Sequence, residues 1–391
     1  MIFNMKNITE VFWQFFTLGL ISFGGPAAHI GYFNQRFVQK LGWLSQQEYG
    51  QIVALSQFLP GPGSSQVGFA LGYRKAGVLG AFTAFIGYTL PSVALMIILA
   101  VMSQAWLDSV YFFGIVHGLK LLAVVVVADA VLTMFSSFCP VHKTKSVAVL
   151  TAIFLLVMPG IAPQMLVIGV AAFWGAKYLT NTTLTGEQDS TPQLNLAWLP
   201  FIAFGLLFVG LPMLSSSSVF AKIAADFYYA GSLVFGGGHV VLPLLQELLA
   251  DSISTDTFLT GYAAAQAVPG PMFTLATFLG FHLAPQAPVL GALTATFAIF
   301  LPGFLLMLAF LKHWQSIANI PKLSGAIQGV NAAVVGLLFS ALYQPLFTSS
   351  VNSGQDMALV VLGFFLLKQV KVPIVYLVLG FAAGGALMVW M

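Results

Sequence analysis

Charge is what this sequence has least of. Among its 391 residues 14 are Lys or Arg and 11 are Asp or Glu, 6% in all, against about 25% in soluble domains. So few charges cannot cover the surface of a water-soluble globule of this size. Cys139 is the single cysteine, so an intrachain disulfide is ruled out and a small apolar helix residue is its plain reading. Catalytic signatures are missing too: there is no HExxH, no GxSxG, no P-loop and no cysteine pair for a metal. The opening MIFNMKNITE lacks the basic n-region, short apolar core and small-residue cleavage site of a removable signal, so the first apolar segment is expected to stay in the mature chain. These absences exclude a cytosolic enzyme, a nucleic-acid binder and a disordered tail, and no cofactor or metal is expected.

Apolar residues, by contrast, make up 59% of the chain, and the mean hydropathy is +0.94. An integral, multi-pass membrane protein follows, with lipid around its fold. The net charge of +3 collects at a few turns and so speaks to orientation more than to partners.

Self-similarity organises the rest. Phe23, Gly24 and Gly25 return as Phe235, Gly236 and Gly237, 212 positions on. ALSQFLPGP at 54–62 returns as AAAQAVPGP at 263–271, and Gly80, Ala81, Thr83, Ala84, Leu90 and Pro91 return as Gly291, Ala292, Thr294, Ala295, Leu301 and Pro302. Three collinear matches at nearly one offset mark an internal duplication. The longest stretch without an apolar block, NTTLTGEQDSTPQLN at 181–195, is the natural linker. The expected organisation is an N-terminal repeat over 1–180, a polar linker plus connecting transmembrane helix over 181–218, and a C-terminal repeat over 219–391.

Each copy contains two kinds of apolar block. Segments near 76–104, 110–135, 146–159 and 163–179 are candidate spans, as are 288–311, 323–346, 357–367 and 372–391; several are short for a bilayer that needs about 20 helical residues. Four others are interrupted at the middle: 8–40 by Gly24-Gly25-Pro26, 46–73 by Pro60-Gly61-Pro62-Gly63, 220–250 by Gly236-Gly237-Gly238, and 257–283 by Pro269-Gly270-Pro271. Proline removes a helical hydrogen bond and glycine permits a reversal, so these are expected to be hairpins of two half-helices. Unwound backbone at that depth needs protein or a water-filled cavity around it.

If each hairpin enters and leaves by one face, Lys6, Arg36, Lys40, Arg74, Lys75, Lys143, Lys145 and Lys177 fall inside and Asp108 outside. An extra span near 196–214 then flips the second copy, placing Glu247, Asp251, Asp256 and Asp356 outside and Lys312, Lys322, Lys368 and Lys371 inside. Only Lys222 departs from the positive-inside rule. The expected fold is an all-α integral membrane protein, an inverted repeat of two helical halves whose broken, hairpin-like half-helices meet near the bilayer midplane. That is the architecture of secondary transporters.

Candidate site residues lie at the tips. A half-helix start carries free N–H groups and about half a positive charge, which suits an anion. Gly63, Ser64 and Ser65 stand at one such start and Thr274 near its counterpart, although hydroxyls there also serve as plain helix caps. Gln57 and Gln266 are matched amides three residues before each Pro-Gly-Pro, able to donate to an oxyanion without competing for its proton, or to join two helices. Gly24, Gly25, Pro60, Gly61, Pro62, Gly236, Gly237, Pro269, Gly270 and Pro271 complete the substrate-binding set, with His239 beside the second glycine tip. His29, Lys120 and Asp129 are candidates for coupling or charge. Lys120 and Asp129 are nine residues apart, about 13 Å along a helix, too far to pair within it.

Across these motifs the chain resembles the chromate ion transporter family in its long form, with two fused homologous halves. The resemblance rests on SFGGPAAHIGYFNQRFVQKLGWLSQQEYGQIVALSQFLPGPGSSQVGFALGYRKAGVLGA from Ser22 to Ala81, on VFGGGHVVLPLLQ from Val234 to Gln246, and on AAAQAVPGP from Ala263 to Pro271. It implies a carrier of the bacterial inner membrane that exports chromate, with sulfate as a close analogue, both tetrahedral dianions, and it places the site on the glycine and Pro-Gly-Pro tips. Competing readings are a sulfate or other anion transporter, a channel, and a membrane-embedded enzyme acting on a lipid. The enzyme would need clustered carboxylates at one membrane face, and only Glu247, Asp251 and Asp256 approach that. GxxxG runs at Gly68 to Gly72, Gly114 to Gly118 and Gly380 to Gly384 allow close helix approach within the chain or in a homodimer.

Overall fold

A computed structural model describes residues 5–23, 25–105, 110–179, 197–235, 240–311 and 321–388. The linker at 181–195, Asp108 and Lys312 lie outside the described residues. All regular structure in the described residues is helical.

The first half begins with α1 (Met5–Ile21), which breaks at the glycine tip and returns as α2 (Gly25–Phe33), continued by a wide π-type turn to Lys40. Next, α3 (Gln46–Phe58) runs to the Pro-Gly-Pro tip and α4 (Gly63–Ala105) leaves it. Ser45 starts α3 with a capping box, its hydroxyl accepting from Glu48 N while the Glu48 carboxylate accepts from Ser45 N. The sequence places a turn at Arg74-Lys75; the chain instead reverses two residues on, at Ala76 and at Gly77 with φ +66°. Gly72 and Gly80 then face each other so closely that a Cβ on either would strike the other's carbonyl. The half ends with α5 (Val110–Phe138), α6 (His142–Val157) and α7 (Ile161–Tyr178).

After a connecting helix, α8 (Trp198–Leu214), the plan repeats: α9 (Val219–Leu233) and α10 (Val241–Leu249) around the second glycine tip, then α11 (Thr255–Ala267) and α12 (Leu275–Leu283) around the second Pro-Gly-Pro. There follow α13 (Pro288–Phe310), α14 (Pro321–Ala341), α15 (Gly354–Phe365) and α16 (Ile374–Met388). Ser254 caps α11 as Ser45 caps α3. Among the described residues four helical stretches, beginning at Gly63, Phe113, Pro288 and Pro321, are long and apolar enough to cross a membrane. Trp198–Leu214 and Ile374–Met388 are apolar but shorter, and α6 with 16 residues is short as its sequence predicts.

Glycine lets the helix pairs approach, and the approaches recur in both halves. Gly19 on α1 sits against the Tyr88 carbonyl and the Pro91 ring on α4; Gly231 on α9 sits against the Ile299 carbonyl and the Pro302 ring on α13. The next layer crosses over. Gly118 on α5 abuts the Phe381 carbonyl and Gly385 on α16, while Gly329 on α14 abuts the Ala171 carbonyl and Gly175 on α7. The long central helix of each half is therefore packed against the last helix of the other. At such separations backbone dispersion contacts replace side-chain packing, the usual means of helix association where lipid is as apolar as leucine.

Candidate functional site

Each half holds a broken end of the other. The Gly61 N–H donates to the Val234 carbonyl at 2.7 Å, and the Gly270 N–H donates to the Ser22 carbonyl at 2.8 Å. Ser22 and Val234 follow the last turns of α1 and α9, where carbonyls lose their intrahelical donors, so each Pro-Gly-Pro caps the opposite half's first helix. Only glycine fits there: φ is +122° at Gly61 and +104° at Gly270. Space is closed as well. A Cβ on Gly61 would lie 2.9 Å from Gly303 Cα, and one on Gly270 would collide with Ser92 Oγ. Gly25 also has positive φ, +80°, but open space around it.

The first glycine tip is further fixed by His29, 1% exposed. Its Nε2 lies 3.2 Å from the Ser22 carbonyl and its Nδ1 3.3 Å from Ser64 Oγ at the start of α4. Gln66, on the first turn of α4, donates through Nε2 to Pro60 O at 2.9 Å and to Gly303 O at 3.1 Å, joining the tip to α13. The buried Ser65 hydroxyl and Gln66 Oε1 have no hydrogen-bond partner, and a buried polar atom left so is one that a bound polar group would satisfy. On the other side Thr274 is spent on its own tip, donating to Pro271 O at 2.8 Å.

A cleft of about 740 Å³ is lined by Gly25 and Pro26 of the first glycine tip, by Gln266, Gly270 and Met272 around the second Pro-Gly-Pro, and by Asp129, Thr133 and Tyr376. Repeat positions of its α5 wall reappear in a second, smaller space of about 270 Å³, where Ser340, Ala341 and Gln344 replace Asp129, Ala130 and Thr133. Among the described residues no tip residue lines the smaller space. The two clefts are thus repeat-related, and among the described residues the larger one is bordered by a crossed tip, at Gly270.

Fixed charges on α5 are paired with the second half. Lys120 is ion-paired with Asp256 at the start of α11, Asp129 with Lys368 at 2.6 Å beyond α15, and His117 Nε2 lies 2.7 Å from Asp356 on α15. The separation of Lys120 and Asp129 inferred from helical rise accords with this: each meets a partner from another helix. Lys120 is therefore held at a helix seam, whereas Asp129 borders the cleft.

The sequence-derived set divides accordingly. Gly25, Gln266 and Gly270 line the cleft. Pro60, Gly61 and Pro62 form the first Pro-Gly-Pro tip and Pro269 and Pro271 flank Gly270 in the second, none of the five lining the cleft, and Gly63, Ser64 and Ser65 open α4. Gln57 is exposed on α3 while its sequence match Gln266 is half-buried, its amide 3.7 Å from Met272 Sδ. Gly24, Gly236, Gly237 and His239 lie outside the described residues. Ser22, Gln66, Ser92 and Lys368 escape a reading of motifs. Ser22 acts through its carbonyl and Lys368 through a partner 239 positions away; a comparison of matched positions would have flagged only Ser92, which faces Gly270 where Gly303 faces Gly61.

A family model described as chromate transporter matches residues 9–176 and 221–387, one match to each half. An uncharacterized transporter of Methanocaldococcus jannaschii is 25% identical over 97% of this chain and 95% of its own length. A probable chromate transport protein of Synechococcus elongatus is 26% identical over 87% of this chain and 84% of its own. A chromate transport protein of Cupriavidus metallidurans is 26% identical over 86% and 82%. No solved structure matches the chain.

Proposed function

Because the chain belongs to the chromate transporter family, we propose that this multi-pass membrane transporter exports chromate across the inner membrane by alternating access, with sulfate as a competing tetrahedral dianion. The observation that carries the proposal is the pair of crossed tips, Gly61 to Val234 and Gly270 to Ser22, the second of which borders the larger cleft through Gly270.

A dianion in lipid is prohibitively costly without a hydrated, protein-lined site. The starts of α2, α4, α10 and α12, at roughly half a charge each, offset about two negative charges. The larger cleft is walled by the ends of α5 and α15 that neighbour Lys143 and Lys368, the side the lysine distribution assigns to the cytoplasm. In this reading the tips face inward, and the smaller repeat-related cleft is the route that opens when the halves exchange roles. Such an exchange around a fixed central site is how inverted repeats support transport. Export of a dianion from a cell that is negative inside gains about 2 × 2.3 kcal/mol per 100 mV, so the membrane potential alone supplies a driving force.

The test is uptake of labelled chromate into everted vesicles containing the protein, energised and then collapsed with an ionophore, with excess sulfate as competitor. Saturable, energy-dependent uptake blocked by sulfate is expected. Uptake no greater than in empty vesicles, with the protein inserted and folded, would refute chromate as the substrate.

A further inference from the structure

The two halves differ sharply at one pair of equivalent seams. The glycine approaches align α5 with α14 so that Gly118 matches Gly329; His117 then corresponds to Gln328 and Lys120 to Asn331. In one seam the start of α15 is capped by side chains. Ser353 caps it, the Asp356 carboxylate accepts from Asn352 N at 2.9 Å and Ser353 N at 3.0 Å, and His117 meets the same carboxylate.

Its counterpart is the start of α6, where the cap position Val141 offers no side-chain bond. Counted from each cap, Thr144 stands where Asp356 stands, and its hydroxyl is turned back onto Val141 O at 2.9 Å. Among the described residues lining this seam no carboxylate takes its place. Instead the seam holds a hollow of about 630 Å³ lined by His142, Lys143, Thr144, Gln328 and Asn331. Asn331 lines it at 8% exposure, with its Oδ1 buried and without a partner. Lys143 Nζ reaches the Tyr178 carbonyl at 3.3 Å and Gln328 Nε2 reaches Ser324 Oγ at 3.5 Å, so a helix start with free N–H groups, an exposed lysine and the Asn331 carboxamide border the hollow with no carboxylate among its lining residues.

We propose that this hollow binds a small tetrahedral oxyanion, a free phosphate-like ion or the phosphate of a lipid headgroup, which supplies to α6 the negative charge that Asp356 supplies to α15. The site lies on the lysine-rich end of the molecule, with Lys145 and Lys177 close by in sequence, and shares no lining residue with the tip cleft. Its occupant joins the start of α6 to α14, a contact between halves, and so stabilises the assembled protein without being transported through it.

The experiment is thermal unfolding of the full chain in detergent, in chloride buffer, with inorganic phosphate added. Phosphate is expected to raise the wild-type midpoint in a saturable manner. Lys143→Gln should need at least tenfold more phosphate, and Thr144→Asp, which restores an internal carboxylate, should give no response. Gly270→Ala, which disables the tip, should respond as wild type does. A response unchanged in Lys143→Gln, or one lost in Gly270→Ala instead, would overturn the proposal, the latter assigning the ion to the transport cleft. In nanodiscs, a phosphate response in phosphatidylcholine that disappears in phosphatidylglycerol identifies the lipid as the natural occupant; a response in both identifies the free ion. No phosphate response in detergent, together with no Lys143-dependent difference between the two nanodisc lipids, also refutes the site. Failure of chromate transport would leave all these outcomes readable, because none uses flux.

Discussion

Gly270 donates its backbone N–H to the carbonyl of Ser22 at 2.8 Å, so the turn that breaks the second half's hairpin is also the cap of the first half's opening helix. A disturbance at that turn reaches both halves at once.

Gly270→Ala is therefore expected to reduce chromate flux into vesicles at least tenfold while the protein still inserts. A Cβ at φ +104° costs about 1–2 kcal/mol in backbone strain alone, and it also strikes Ser92 Oγ. Adding Ser92→Gly, which copies the Gly303 environment of Gly61, should restore part of the flux by removing the collision but not the strain. Wild-type flux in Gly270→Ala and Gly61→Ala would remove the tips from transport.

The Asp129–Lys368 pair borders the cleft and is partly open to water, with side-chain exposures of 29% and 42%, so its contribution to stability is expected to stay below about 1 kcal/mol. Its effect on an incoming dianion has opposite signs at the two residues. Asp129→Asn should lower the KM for chromate severalfold, and Lys368→Gln should raise it. Equal shifts in the same direction would show that the pair acts only as a strut.

Gly118→Ala or Gly329→Ala should lower the unfolding midpoint in detergent and the yield of monodisperse protein. Each added methyl meets a carbonyl of the facing helix, an overpacking that costs about 1–3 kcal/mol. Gly380→Ala, with open space around it, is the control and should unfold as wild type does.

Orientation is open to single-cysteine labelling. Cys139 is 1% exposed, so Cys139→Ala is expected to fold and supply a cysteine-free background. On it, Asp251→Cys should react with an impermeant maleimide on intact cells, whereas Lys40→Cys should react only after permeabilisation. Labelling of both from one side would overturn the inverted arrangement of the hairpins.

Much of this architecture is legible in the residues, because its signals are local. Pro-Gly-Pro and the glycine runs break helices, and the paired offsets align the halves within the sequence itself. Cross-connections are not legible in that way. That α5 packs on α16, that Ser22 receives a bond from Gly270, and that Asp129 finds Lys368 all depend on how two copies interlock. Nor does a matched position guarantee a matched environment: Gln57 and Gln266 occupy the same place in the repeat, yet one is exposed and the other faces the cleft. The turn misplaced at Arg74-Lys75 has a simpler cause, since Gly77 supplies the positive φ that the reversal needs and the two cations do not.

The exchange of partners between α5, α16, α14 and α7 bears on how the chain is made. A ribosome delivers α5 long before α16, and until α16 emerges the glycine face around Gly114 and Gly118 has no occupant of its own. The first half is thus synthesised early but completed late, by a helix at the far end of the second half. Insertion machinery must shelter that face in the interval, and a ribosome stalled anywhere in the second half leaves behind two incomplete units rather than one finished and one missing.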